Sequence, residues 1–97
     1  MDFQISNINK KDKCIFIQSN DSFSEPDAFI HLLKSAASYL SSPTNIVGDC
    51  QYRISALNLD LVFQWDDLFG IVVVYKDDAS LEKSVAILTK ILDFAKK

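Results

Sequence analysis

Apolar and polar residues alternate near the start of the chain, which is the spacing of a β-strand. After the polar turn NKKD at residues 9–12, a short apolar run extends from Cys14 to Ile17. Alternation and short apolar runs bounded by turn residues are both typical of strands. The pattern therefore predicts a β-hairpin with strands at about 2–8 and 13–18.

A helix is predicted next, because apolar residues then recur every three or four positions. Ser24 is a suitable N-cap, and Pro26 fits the first turn, where its missing N–H group is not needed. Pro43 ends the pattern, since proline cannot continue a helix. We expect the helix to reach about Ser41. Its predicted buried side consists of Phe29, Leu32, Leu33, Ala36 and Leu40.

Two further alternating segments predict a second hairpin. Apolar residues occupy even positions in 50–56 and odd positions in 59–65. A two-residue turn at Leu57 and Asn58 explains this change, because the residues that flank such a turn pair directly and face the same side. The resulting register places Cys50, Tyr52, Ile54 and Ala56 opposite Trp65, Phe63, Leu61 and Leu59, respectively.

The chain ends with a strand and a helix. The run from Ile71 to Tyr75 is too apolar for an exposed sheet edge, so we predict that it lies inside the sheet. Asp77 and Asp78 precede a helix whose apolar residues are spread widely around its axis. The element order β-β-α-β-β-β-α predicts a single domain over residues 1–97. Its predicted class is an α+β two-layer sandwich, with a mostly antiparallel five-stranded sheet and two helices on one face.

Composition and charge narrow the classes of function. The 97 residues are 48% hydrophobic and 24% charged, which is typical of a globular domain. A net charge of −3 and a single arginine, Arg53, argue against binding to nucleic acid. We expect no membrane span, which needs about 20 apolar residues, and no signal peptide. Cys14 and Cys50 are predicted to face inward as free thiols, which favours a cytoplasmic location.

The sequence contains no recognisable catalytic or cofactor motif. The one histidine, His31, falls on the polar side of the first predicted helix and is expected to be solvated. One histidine and two separated cysteines cannot supply the close nitrogen and sulfur ligands that zinc prefers. Gly48 and Gly70 are far apart and neither opens a helix, so no phosphate-binding loop is predicted. We therefore expect no enzymatic activity, no metal and no cofactor.

Carboxylates gather at the two ends of the predicted strand 71–75. Aspartates are common in turns and at helix starts, which accounts for these positions structurally. Exposed carboxylates also suit contact with a basic partner. The candidate acidic contacts are Asp49, Asp66 and Asp67 at one end and Asp77 and Asp78 at the other.

A sheet with helices on one face only leaves its other face open, and an apolar strip is predicted there. If Leu61 and Phe63 face the helices, Val62, which lies between them, points to the opposite face of the sheet. Strands 13–18 and 71–75 carry apolar side chains on both faces. Long side chains such as Gln64 could instead cover this face. The candidate partner-binding residues are Ile15, Ile17, Val62, Val72 and Val74.

Three functional hypotheses follow. The first is a small non-enzymatic cytoplasmic protein that binds a protein partner, or forms a homodimer, through this strip or through an edge strand. The second is an acidic inhibitor of the immunity type, which binds a basic toxin or nuclease by charge complementarity. The third is an enzyme of unfamiliar type, with a pocket between the helices and the sheet end near Asp49, Asp66 and Asp67.

Overall fold

The computed structural model describes residues 3–19, 25–66 and 68–96 of the chain. It has two helices and an antiparallel sheet, so the predicted α+β class is confirmed. The elements in chain order are β1 (Phe3–Asn9), β2 (Cys14–Ser19), α1 (Glu25–Leu40), β3 (Asn45–Gly48), β4 (Gln51–Ala56), β5 (Leu59–Asp66), β6 (Gly70–Val74) and α2 (Leu81–Ala95).

Among the residues described, the sheet has six strands, whereas the sequence predicts five. Their order is β1-β2-β6-β5-β4-β3, and every neighbouring pair is antiparallel. The additional strand is β3, which pairs with β4 at one edge. It escaped prediction because it has four residues, a register irregularity between Ile46 and Gly48, and side chains that are mostly exposed. Apolar alternation cannot mark a strand of this kind.

The hairpin of β4 and β5 has the predicted register. Ile54 lies opposite Leu61, and the turn residues Leu57 and Asn58 have φ angles of 55° and 64°. Two successive positive φ angles define the tight turn whose twist matches paired strands. The pairing continues to Cys50, whose carbonyl accepts a hydrogen bond from the Trp65 N–H at 3.1 Å. The predicted inward position of Cys50 is wrong, because this residue is exposed in the β3–β4 turn with a φ angle of 54°.

The apolar strand β6 is an interior strand, as predicted. It pairs with β2 on one side and with β5 on the other, so its backbone hydrogen-bonding groups face two neighbours. Val73 at its centre is fully buried. This position protects the most apolar segment of the chain from edge-to-edge association.

The helices lie side by side on one face of the sheet. Helix α2 follows a single 3₁₀ turn, Asp78–Ser80, whose N-cap Asp77 accepts a hydrogen bond from the Ser80 N–H at 2.9 Å. At the other end of α2, Nε2 of His31 donates to the carbonyl of Ala95 at 2.8 Å. His31 is therefore a link between the helices as well as an exposed side chain. The predicted N-cap Ser24 lies outside the described residues.

One core fills the space between the helices and the sheet. From the sheet it includes Ile15, Phe63 and Val73, which lie in one row across β2, β6 and β5. From the helices it includes Leu32 and Leu88, both fully buried. We call this side of the sheet the helix-covered face and the opposite side the open face.

Candidate binding surface on the open face

The centre of the open face is formed by two rows of paired side chains. In the first row Phe16 lies opposite Val72, which lies opposite Gln64. Directly opposite residues in an antiparallel sheet project on the same side, so each row forms a continuous surface. The second row consists of Cys14, Val74 and Val62.

A shallow depression of about 440 Å³ lies over the first row. Phe16 and Val72 contribute its apolar part, and Phe69 adds an aromatic ring. Binding sites in proteins are typically concave and mainly apolar, with a few polar groups that fix the orientation of what binds. The polar groups here are contributed by Asn7, Asn9, Asp12, Cys14, Gln64 and Asp66.

The turn between β5 and β6 brings Phe69 over the open face. The carboxylate of Asp66 accepts hydrogen bonds from the N–H groups of Leu68 at 2.7 Å and Phe69 at 3.1 Å. Gly70 then has a φ angle of 76°, a conformation that favours glycine. The ring of Phe69 contacts that of Phe16, with ring centres 5.6 Å apart. Phe69 nevertheless remains 64% exposed, so a large aromatic side chain is available to a partner.

The three valines of the predicted strip occupy the open face, but they differ in exposure. Val62 and Val74 are half-buried, whereas Val72 is only 2% exposed. No helix covers Val72 within the described part of the chain. It is buried between Phe16 and Gln64, its cross-strand neighbours. The strip available for contact therefore centres on the side chains around Val72 rather than on Val72 itself.

The two isoleucines of the predicted strip do not belong to it. Ile15 and Ile17 are 0% and 4% exposed and lie in the core under the helices. They pair with Val73 and Ile71, which face the same side. The strand Cys14–Ser19 is apolar on both faces, so the sequence did not indicate which set of residues points inward. The same register places Cys14 on the open face, opposite Val74, and its predicted inward position is wrong.

Long polar side chains bind one another on the β4 side of the open face. Nε of Arg53 forms an ion pair with Asp60 at 3.1 Å. Nε2 of Gln51 donates to Oε1 of Gln64 at 3.4 Å. These contacts cover part of β4 and β5. Beyond them, the edge strand β3 carries two exposed apolar side chains, Ile46 and Val47, at 76% and 43%.

The candidate acidic residues lie at both ends of the sheet, as predicted from strand directions. Asp49 is exposed in the β3–β4 turn, and Asp66 lies at the end of β5, where its carboxylate organises the next turn. Asp77 caps the 3₁₀ turn at the opposite end and Asp78 is exposed beside it. The remaining candidate, Asp67, lies outside the described residues.

The chemistry of the depression suits binding better than nucleophilic attack. Burial, and next the negative charge of Asp12, raise the pKa of the Cys14 thiol above its usual value. A raised pKa keeps the sulfur protonated, whereas a nucleophilic cysteine needs a lowered one. The Sγ atom donates a hydrogen bond to the carbonyl of Asp12 at 3.3 Å. Among the described residues, no group of three or more His, Cys, Asp and Glu side chains could hold a metal ion.

Two aromatic residues of the depression were not predicted. Phe16 follows from the register once Ile15 and Ile17 are known to face the helices, because alternate residues of a strand point to opposite faces. Phe69 belongs to a turn, and no periodicity marks a turn residue that folds back over a sheet. The sequence does contain one signal for Phe69. Polar residues are common in turns, but two large apolar residues, Leu68 and Phe69, occupy this one.

Comparisons with protein-family models, with curated proteins and with solved structures found no match to this chain. Within the described residues, neither helix has the length and apolar character needed to cross a membrane. The function of this chain is therefore inferred from the open face of its sheet.

Proposed function

We propose that this protein is a non-enzymatic interaction module that binds a protein surface through the open face of its sheet. The observation that carries the proposal is the depression over Phe16 and Val72, with Phe69 at its rim. Sheets with one solvated face usually carry polar side chains there. Here aromatic and aliphatic side chains occupy the centre of that face, which is typical of a contact surface.

The polar border of the depression supports the same function. Asn7 and Asn9 provide amide groups, and Gln64 provides a third. Contact surfaces commonly combine an apolar centre with a polar rim that can exchange hydrogen bonds with water for bonds to a partner. Such a surface remains soluble when it is free and is specific when it is bound.

The free thiols support a reducing, cytoplasmic setting for this interaction. Cys14 and Cys50 are both unpaired. Secreted domains of this size often depend on disulfides, whereas cytosolic ones rarely contain them.

A second candidate function is supported by the acidic end of the open face. Asp49 is exposed there, and Asp66 lines the depression. An acidic inhibitor that covers a basic toxin or nuclease uses carboxylates at such positions to accelerate association. In that case the partner is a basic protein, and neutralising Asp49 would slow association and reduce its dependence on salt.

Site-specific photo-crosslinking in the cells that produce this protein tests the proposed surface. The photoreactive residue p-benzoylphenylalanine replaces Phe69 on the open face or, as a matched control, Phe94 on α2. Both phenylalanines are exposed, at 64% and 40%, and they lie on opposite sides of the molecule. We expect a discrete adduct from position 69 and none from position 94. The absence of an adduct at position 69, or equal adducts at both, would contradict the proposal.

A further inference from the structure

The depression on the open face is lined by negative charge. Among the described residues, two carboxylates line it, those of Asp12 and Asp66, and no lysine or arginine does. The two carboxylates lie at opposite ends, because Asp66 pairs with Gly70 at the start of β6, whereas Asp12 belongs to the turn next to the end of β6. At about 3.3 Å per residue, the five residues of β6 place these ends about 13 Å apart.

The end of the depression that contains Asp12 carries charges of both signs. Its carboxylate accepts a hydrogen bond from Nδ2 of Asn9 at 3.1 Å. The other charged residues of this end are Lys10, Lys11, Lys13, Lys76, Asp77 and Asp78. Because these charges largely cancel, this end favours neither an anion nor a cation.

The end that contains Asp66 is acidic. Asp49 is exposed in the β3–β4 turn at the same end of the sheet. Lys96, at the end of α2, belongs to the helix layer and pairs with Asp93 at 3.7 Å. The lysines of the β1–β2 turn lie farther from Asp66 than the screening length of about 8 Å at physiological salt, so they oppose a cation here only weakly.

Asp66 organises its own turn and still has an oxygen for a ligand. The N–H groups of Leu68 and Phe69 both donate to its Oδ1 atom, and Oδ2 takes no part in these bonds. Gln64 lies two residues earlier on the same face of β5, and its amide also lines the depression. A ligand with several N–H donors therefore meets both a carboxylate and an amide oxygen here.

Two phenylalanine rings stand beside these acceptors. The rings of Phe16 and Phe69 meet at an angle of 56°, with centres 5.6 Å apart, so they form a corner rather than a stack. Phe69 is 64% exposed, which leaves much of its ring open to a ligand. A cation within about 6 Å of the centre of an aromatic face is attracted by the electrons of the ring. We call the group of Phe16, Gln64, Asp66 and Phe69 the Asp66 corner.

We propose that the Asp66 corner binds an arginine side chain of the protein partner. A guanidinium group is flat and has five N–H donors, so it can stack on the ring of Phe69 while it donates to Oδ2 of Asp66. Lysine suits the corner less well, because its ammonium group is compact and strongly hydrated. The inference rests on the proposed function and names the side chain that the open face recognises.

Titration of the full chain with N-acetyl-arginine amide, followed by NMR of the backbone amides, tests the corner without an identified partner. We expect saturable shifts at Leu68, Phe69 and Val72, with a dissociation constant on the order of 1–10 mM, because one side chain is a small part of an interface. The binding should weaken as salt increases.

Two related probes separate charge from shape, with ionic strength held constant by sodium chloride. The corresponding citrulline amide has nearly the shape of arginine without its charge, and we expect it to bind roughly tenfold more weakly. The corresponding lysine amide has the charge without the flat group, and we expect it to bind roughly threefold more weakly than arginine.

Variants of the corner locate the binding. Asp66→Asn removes the charge and keeps an oxygen for the turn, and Phe69→Leu keeps an apolar side chain without the ring. We expect each to weaken arginine binding roughly fivefold, whereas Asp93→Asn, the matched loss of charge on α2, should have no effect. The same spectra show whether each variant keeps its fold.

Three results overturn the arginine site. The first is the absence of saturable shifts up to about 50 mM arginine amide. The second is citrulline or lysine binding as strong as that of arginine. The third is arginine binding that neither variant of the corner weakens.

The crosslinking experiment separates this inference from the proposed function. A partner adduct from position 69, together with arginine binding at the corner, supports both. A partner adduct without arginine binding overturns the arginine and leaves the open face as the binding surface. Arginine binding without an adduct supports the affinity of the corner for guanidinium groups and contradicts the proposed function.

Discussion

The two faces of the sheet are built from similar side chains but have different environments. On β6, Val73 is fully buried beneath the helices, while the next residue, Val74, is half-buried on the open face. Their side chains are identical, so the difference arises only from the alternation of the strand and from the helices on one side. Residue type alone therefore does not distinguish core from contact surface in this chain.

The open face also shows how a sheet can bury residues without a covering helix. Val72 is as buried as many core residues because its cross-strand neighbours, Phe16 and Gln64, lie on both sides of it. The outer side chains of this small cluster remain partly in water. The centre of this surface is tightly packed, and the side chains around the centre are exposed enough to contact a partner. Such a surface suits reversible binding.

Truncation of one phenylalanine on each face gives the largest expected contrast. Phe63 on the helix-covered face is 0% exposed, and Phe63→Ala should lower the free energy of unfolding by about 3–5 kcal/mol, because it removes buried contacts and leaves a cavity. Phe69→Ala on the open face should cost less than about 1 kcal/mol. Urea unfolding at low protein concentration measures both. Equal losses would show that Phe69 is part of the core.

Introducing a hydroxyl group at two neighbouring positions of β6 should give a smaller difference in the free energy of unfolding. Valine and threonine have nearly the same shape and both favour strands, so the substitution mainly tests burial. Val73→Thr places a hydroxyl group in the core and should cost about 1–2 kcal/mol. Val74→Thr should cost less than about 0.5 kcal/mol, since its hydroxyl group can reach water. A cost at Val74 as large as at Val73 would contradict the exposure of the open face.

The fold could be predicted well wherever one face of an element is apolar and the other is polar. The β4–β5 hairpin met this condition, and its register followed from parity and the turn at Leu57 and Asn58. Strand β2 does not have one apolar and one polar face, because successive residues from Cys14 to Ile17 are all apolar. Both assignments of its faces satisfied the pattern, and only the pairing with β6 in three dimensions distinguishes them.

The candidate surface could be predicted only in part, since it depends on contacts between segments distant in the sequence. Its valines followed from alternation, but Phe69 reaches Phe16 across more than half of the chain. The depression forms because one turn folds back over two strands. No local pattern contains that information.

The smallest expected difference is between the alkylation rates of the two cysteine thiols. Cys14 lies half-buried in the depression on the open face, and Cys50 is exposed in the β3–β4 turn. Alkylating reagents attack the thiolate, so both access and pKa determine the rate. Burial, followed by the charge of Asp12, raises the Cys14 pKa, which reduces its thiolate fraction at neutral pH. We expect Cys14 to react on the order of tenfold more slowly than Cys50.

Single-thiol variants, Cys50→Ser and Cys14→Ser, allow each rate to be measured alone with an iodoacetamide reagent. In urea the two rates should converge, because unfolding removes the burial that separates them. Asp12→Asn removes the smaller cause of the raised pKa and should accelerate Cys14 only slightly, since burial remains. A Cys14 that reacts as rapidly as Cys50 in the folded monomer would mean that the depression is more open than the structure shows. The open face would then lack the packed centre on which its proposed role depends.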